Sequence, residues 1–255
     1  MNQIKIGSGT YSEVYKAICP KTNRQVAIKK LTEVYSTRDK IYNKDMYINE
    51  IEILKHLDHV NIIKLFEYSV SLKGVHLTFE YCEMTLTHMI QKLCTSKYPT
   101  TAKSIMTQVL AGINYFHSKN IIHRDLKPCN IMLIHGIVKI IDFGLSCDND
   151  DIKETGVQTV WYRAPEVVLK NTYSFPIDIW SYGCIFMEVI CDGKVLFHTD
   201  DERVLLQKIQ RLNLPFLHEQ FKYSDEVQEI IEKCLIIDPK KRSTAPQLYE
   251  LNYFK

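Results

Sequence analysis

His123-Arg124-Asp125-Leu126-Lys127-Pro128-Cys129-Asn130 carries an acid, a base and an amide within eight residues. Just beyond it, Val138-Lys139-Ile140-Ile141 reads as a buried strand ending in Asp142-Phe143-Gly144. Two carboxylates and an amide therefore stand on adjacent loop ends. Oxygen donors so placed suit a hard divalent cation, and a carboxylate beside them suits proton acceptance from a hydroxyl.

The remaining composition narrows the setting. A chain of 255 residues buries a real core, as one large domain or as two lobes. The formal net charge of +2 argues against a nucleic-acid module, which concentrates a stronger basic excess on one face. Eight cysteines are scattered without a C-x-x-C pair, several in apolar stretches such as those around Cys184 and Cys234. Free thiols in a reducing intracellular compartment, cytoplasm or nucleus, are the expected reading. Nothing at the start resembles a signal peptide, and no apolar run is long enough to cross a bilayer.

Taken from its start, the chain opens on Ile4 and Ile6 alternating with Lys5, then Gly7-Ser8-Gly9-Thr10-Tyr11-Ser12-Glu13-Val14. A glycine pair in a hairpin lets backbone N–H groups approach phosphate oxygens, although by itself it also fits a plain tight turn. Val26-Ala27-Ile28-Lys29 follows as a strand, and its alternation sets Ala27 and Lys29 on one face. A lysine there needs an anionic partner unless it ends the strand and reaches water. The spacing predicts a helix over 47–57, with Glu50, Ile53, Leu54 and Leu57 on one face. Glu50 is the natural partner of Lys29; Glu52 is the rival but points off that face.

In this order the stretches resemble eukaryotic-type Ser/Thr protein kinases, over nearly the whole chain. The resemblance implies an α+β, bilobal fold: a small N-terminal antiparallel β-sheet lobe with one helix, and a larger, mainly helical C-terminal lobe. It implies a single catalytic domain over 1–255, with N-lobe and hinge at 1–82 and C-lobe at 83–255. It implies that Lys29, paired with Glu50, meets the α- and β-phosphates of ATP. Asp125 would accept or orient the substrate hydroxyl proton, Lys127 would steady the transferring phosphate, and Asn130 and Asp142 would hold Mg²⁺. The phosphate loop would be Ile6, Gly7, Ser8, Gly9, Thr10, Tyr11, Ser12 and Val14; Ser12 stands where the family's third glycine does. Ile6, Val14, Ala27 and Met132 would sandwich adenine, Phe79 would be the gatekeeper, and Glu80, Tyr81 and Cys82 the hinge. Asp178 would brace the catalytic loop, and Arg242 would pair with Glu166.

Trp161-Tyr162-Arg163-Ala164-Pro165-Glu166 and Asp178 to Phe186 look most like the cyclin-dependent and MAP-kinase branch. That branch, with Lys127 and Thr159, implies Ser/Thr acceptors in protein substrates, with proline after the acceptor as a further suggestion. Where the branch has a phosphorylated threonine, this chain has Glu154, and Arg124 alone remains of an arginine cluster. Glu154 on Arg124 would hold the activation segment without phosphate. Thr155 is the alternative phosphosite, and a solvated Glu154 is the plainer reading. Thr10 and Tyr11 stand where inhibitory phosphorylation occurs in the branch. A regulatory protein stays open as a partner, but cyclin dependence is not expected, since 43–49 does not match the cyclin-binding motif. Neither nucleic acid nor membrane is an expected partner. The compact length would suit a parasite or a large DNA virus, the compartment then being the host cell's. A kinase fold used only as scaffold or decoy is the second function class.

Overall fold

The computed structural model describes residues 3–8, 12–31, 37–71, 74–93, 99–152 and 156–255. Alternating segments early in the chain pair into one antiparallel sheet. Its strands are β1 (Ile4–Ser8), β2 (Ser12–Ile18), β3 (Gln25–Leu31), β4 (Leu65–Ser71) and β5 (Gly74–Glu80). They lie in the order β1-β2-β3-β5-β4. On β3 the period of two does what it should. Val26 and Ile28 are buried with Ala17 in a small outer cluster, and Ala27 packs against the main core instead.

Helix α1 (Thr37–Lys55) crosses behind this sheet. It begins well before Tyr47 and ends at Lys55, where the sequence pattern gives 47–57. The early turns, Thr37 to Met46, carry no apolar stripe, so periodicity gives no signal there. At the other end His56 and Leu57 donate to the carbonyls of Ile53 and Leu54, tightening the last turn out of α-helical geometry.

Beyond β5 come β6 (Met84–Thr85), α2 (Leu86–Leu93), α3 (Pro99–Ser118), β7 (Ile121–Ile122), β8 (Ile131–Ile134), β9 (Ile137–Ile140) and β10 (Cys147–Asp148). Two small sheets, β6-β8-β9 and β7-β10, carry the loops that follow β7 and β9, which His123 joins through Ile141 O. The helical remainder is α4 (Pro165–Val168), α5 (Pro176–Ile190), α6 (Glu202–Gln210), α7 (Leu214–Phe221), α8 (Asp225–Cys234) and α9 (Ala245–Tyr249). Every residue from Ile177 to Val189 is buried, so α5 is the axis of this part, apolar nearly all round as such a helix must be. Gly183 lets α8 approach it: a Cβ there would stand 2.6 Å from Cys234 Cβ. The sheet is tied to the helical part where Ile63 N donates to Ile140 O and Ile140 N to Asn61 O, at 3.0 and 2.9 Å.

The fold class is thus α+β, a five-stranded antiparallel sheet with one helix followed by a mainly helical portion. Among the described residues every cysteine is a free thiol, and no helix is long and apolar enough to cross a membrane.

Candidate active site

Lys29 leaves β3 on the face opposite Val26 and Ile28 and reaches two carboxylates. Its Nζ lies 2.8 Å from Glu50 Oε2 on α1 and 2.9 Å from Asp142 Oδ1 just past β9. Burial by itself would lower the pKa of the ammonium, but Glu50 and Asp142 outweigh it and hold it above its ordinary value. Burial pushes the Glu50 carboxyl up, against the pull of Lys29. The Lys29 charge holds Asp142 below the usual carboxylate range. Tyr47 sits one helical turn before Glu50 and lays its ring 5.0 Å from Lys29 Nζ.

Asp142 adopts left-handed backbone angles, φ 67° and ψ 68°. An aspartate tolerates this better than most side chains, and strain of this kind clusters at working sites. The turn is anchored by Phe143, which is fully buried against Phe116 and His123. His123 locks the two loops together: its Nε2 donates to Ile141 O at 3.0 Å, and its Nδ1 accepts from Asp125 N at 3.2 Å. One tautomer, protonated on Nε2, serves both bonds.

Residues of the loop 123–130 form a second network. Asp178, fully buried on α5, accepts from His123 N and Arg124 N at 2.9 and 3.0 Å and so braces the loop backbone. Asp125 is oriented by four donors. Thr159 N and Oγ1 reach its Oδ1 at 3.1 and 2.8 Å; Lys127 Nζ and Asn130 Nδ2 reach its Oδ2 at 2.7 and 3.2 Å. Lys127 Nζ also donates to Thr159 Oγ1 at 2.8 Å. Burial would lower the Lys127 pKa, but Asp125 reverses this and raises it.

Between the sheet and the helical part runs a cleft of about 510 Å³, the size of a small-molecule site. Ile6, Gly7, Ser8, Ser12 and Val14 line it from β1 and β2, Ala27 and Lys29 from β3, and Glu50 from α1. Phe79, Glu80, Tyr81 and Cys82 close its rear, with Asn130, Met132 and Asp142 opposite. Lys29, Glu50, Asn130 and Asp142 therefore share one cleft, and Asp125 is one hydrogen bond away through Asn130. Asp125 and Lys127 lie beyond its lining. Ser12, in the place of a third glycine, is buried where β2 begins and fits without displacing the strand. Gly9, Thr10 and Tyr11 lie outside the described residues.

Ile63, Thr85, Cys129 and Ile141 also line the cleft and escape a reading of the sequence. Of these, Ile141 and Cys129 adjoin Asp142 and Asn130 and could have been found by adjacency. Ile63 comes from a loop and Thr85 from the two-residue strand β6, neither of which the pattern reveals.

The segment after Asp142 is fastened by side chains. Asn49 Nδ2 donates to the carbonyls of Gly144 and Ser146, at 3.2 and 2.7 Å. Arg124 donates to Leu145 O and, at 3.1 Å, to Tyr173 Oη. Glu154 and Thr155 lie outside the described residues. Downstream, Gln158 has a left-handed φ of 69°, and its carbonyl accepts from Arg163 Nε and Nη2 at 3.2 and 2.6 Å. Arg163 also pairs with Glu202.

The donor set fits a shared cation. Asp142 keeps an ionised carboxylate in the cleft. The side-chain nitrogen of Asn130 is turned to Asp125, and among the described residues its oxygen carries only a 3.9 Å contact from the Cys129 thiol. Two oxygen ligands are few, as Mg²⁺ prefers when phosphates and waters supply the others. A buried lysine flanked by carboxylates, an oriented aspartate and a roomy apolar slot equip the cleft to hold a phosphorylated aromatic ligand beside a hydroxyl acceptor. The family model described as "Protein kinase domain" matches residues 2–254. With that match over nearly its whole length, the chain belongs to the protein kinase domain family, whose activity is ATP-dependent phosphorylation of proteins.

Proposed function

We propose that the chain is an active serine/threonine kinase of the cyclin-dependent and MAP-kinase type, one catalytic domain with lobes at 1–82 and 83–255. The observation that carries this is the seating of Lys29 between Glu50 and Asp142, in the same cleft as Asn130. A scaffold gains little from that arrangement, because burying the Glu50 carboxylate carries a desolvation cost that its pairing with Lys29 only partly offsets.

In this reading the hinge backbone at 80–82 holds adenine between Ile6, Val14, Ala27 and Met132. Lys29 meets the phosphates of ATP, which replace part of what Asp142 supplies to it. Asp142 and Asn130 hold Mg²⁺, whose charge offsets that of the phosphates. Asp125, oriented by its four donors, accepts the proton of the acceptor hydroxyl; a positioned base is worth roughly 10²–10⁴ in rate. Lys127 steadies the phosphate in transfer.

Two finer points have their own support. The Lys127–Thr159–Asp125 triangle favours serine and threonine acceptors, by resemblance to kinases of that class. Proline after the acceptor is favoured by the Gln158 carbonyl, already committed to Arg163 and so closed to a substrate N–H. Glu154 on Arg124, with Thr155 as alternative phosphosite, and phosphorylation of Thr10 or Tyr11 remain the proposed controls. Work in a reducing intracellular compartment fits the free thiols.

The test is thermal stabilisation by ATP-Mg²⁺ together with transfer of γ-phosphate to a serine peptide. Wild type should show both. Asp125→Asn should bind nucleotide and lose transfer by about 10²–10⁴. Asp142→Asn should keep its fold and lose transfer. A wild type that neither binds ATP-Mg²⁺ nor transfers phosphate would leave only the scaffold.

A further inference from the structure

An α-helix turns about 100° per residue, so Asn49 and Glu50 leave α1 in neighbouring directions. Glu50 reaches back to Lys29. Asn49 reaches the root of the segment that follows Asp142, where its one amide nitrogen serves two carbonyls, Gly144 O and Ser146 O. A primary amide carries two N–H donors, enough for both. The carbonyl between them, Leu145 O, is taken by Arg124. Three consecutive carbonyls are thereby held by two side chains, one from α1 and one from the catalytic loop. Met46, one turn earlier, lies over Gly144. So the same stretch of α1 that delivers Glu50 also grips the turn that delivers Asp142.

We propose that Asn49 is a positioning residue for phosphate transfer: its amide latches α1 to residues 144–146, keeping Glu50 on Lys29 and Asp142 in the cleft. The latch is made of uncharged groups and backbone. No phosphate on the segment is part of it. Its catalytic consequence rests on the kinase reading; its geometry does not.

The deciding variant is Asn49→Asp, which keeps shape and volume but sets a carboxylate oxygen against two carbonyls. Asn49→Ala removes the donor outright. In the full chain without ligand, amide hydrogen exchange over 143–148 should quicken about tenfold in both variants, while α5 amides stay at the wild-type rate. ATP-Mg²⁺ should bind about tenfold more weakly, because the competent arrangement is less populated, and KM for ATP should rise while kcat at saturation changes far less. If exchange over 143–148 and nucleotide affinity in Asn49→Asp match wild type, the latch is refuted, since packing alone would then hold the turn. Should wild type itself fail to bind nucleotide or transfer phosphate, the kinase reading fails, and the exchange comparison still decides the latch.

Discussion

Arg242 closes a two-pronged pair on Glu166, Nη1 to Oε1 at 2.7 Å and Nη2 to Oε2 at 3.0 Å, with both side chains buried. The remaining donors go to the carbonyls of Ile236, Pro176 and Ile237, and the guanidinium lies 5.0 Å from the Trp180 ring centre. The pair joins the chain after α8 to α4, next to the segment that carries Thr159 and Arg163. Removing one partner strands the other charge in a dry site. Arg242→Met should therefore cost about 3–5 kcal/mol in chemical denaturation. Arg242→Met with Glu166→Leu should recover part of that loss, since two apolar groups leave no orphan charge. A single variant within the error of wild type would show that the pair is solvated.

The cleft carboxylates give stability a pH signature. Burial raises the Glu50 pKa above its ordinary 4.5, so between 4.5 and the raised value the native state binds a proton that the unfolded chain does not. Stability from this group thus rises as pH falls through that window. Asp142 is held below 3.8 by Lys29, and its contribution is present above 3.8 and lost only as pH falls beneath it. Measured as melting temperature, wild type should gain on Glu50→Gln as pH falls toward 4.5. Over the same range KM for ATP should rise, because a protonated Glu50 no longer holds Lys29. A gap between the two proteins that does not vary with pH would contradict the raised Glu50.

Gly183 marks where α5 and α8 touch. A Cβ at this position would lie 2.6 Å from Cys234 Cβ and 2.9 Å from Leu235 Cδ2. Neither neighbour can swing aside, one being a Cβ and both belonging to a packed core. Alanine favours a helix over glycine by about 1 kcal/mol, yet overpacking costs about 1–3 kcal/mol. Gly183→Ala should come out destabilised by roughly 1 kcal/mol, seen as a lower denaturation midpoint with an unchanged slope. A stabilised variant would mean that the helices can part without cost.

What was legible in the sequence was whatever rides on a period or a short motif. The alternation of Val26 to Lys29, the helical face of Glu50 and Leu54, and the His123–Asn130 and Asp142–Gly144 stretches each announce a local structure with a charge in an unusual place. Contacts from a polar side chain to a distant backbone carbonyl leave no such trace. Asn49 has no partner legible in the sequence until Gly144 and Ser146 are seen beneath it, and Tyr47 over Lys29 looks like one more aromatic on a helix. The left-handed Gln158 is hidden for the same reason, since glutamine carries no signal for positive φ. The early turns of α1 leave no trace either, because a helix without an apolar stripe has no pattern to read.

Gln158 also supplies the sharpest test of substrate choice. Its carbonyl is turned onto the Arg163 guanidinium, which Glu202 holds from the other side. If, as proposed, the residue after the acceptor faces this carbonyl, any residue but proline would leave its N–H unsatisfied there, at about 1–3 kcal/mol, while proline has no N–H to lose. Wild type should then phosphorylate a Ser-Pro peptide about 10–100-fold better, in kcat/KM, than its Ser-Ala counterpart. Arg163→Ala frees the carbonyl and should bring the two peptides to within a few-fold of each other. Because each variant is compared with itself on two peptides, any loss of folded enzyme cancels from the ratio. Equal use of both peptides by wild type would remove proline direction and leave the rest of the cleft chemistry standing.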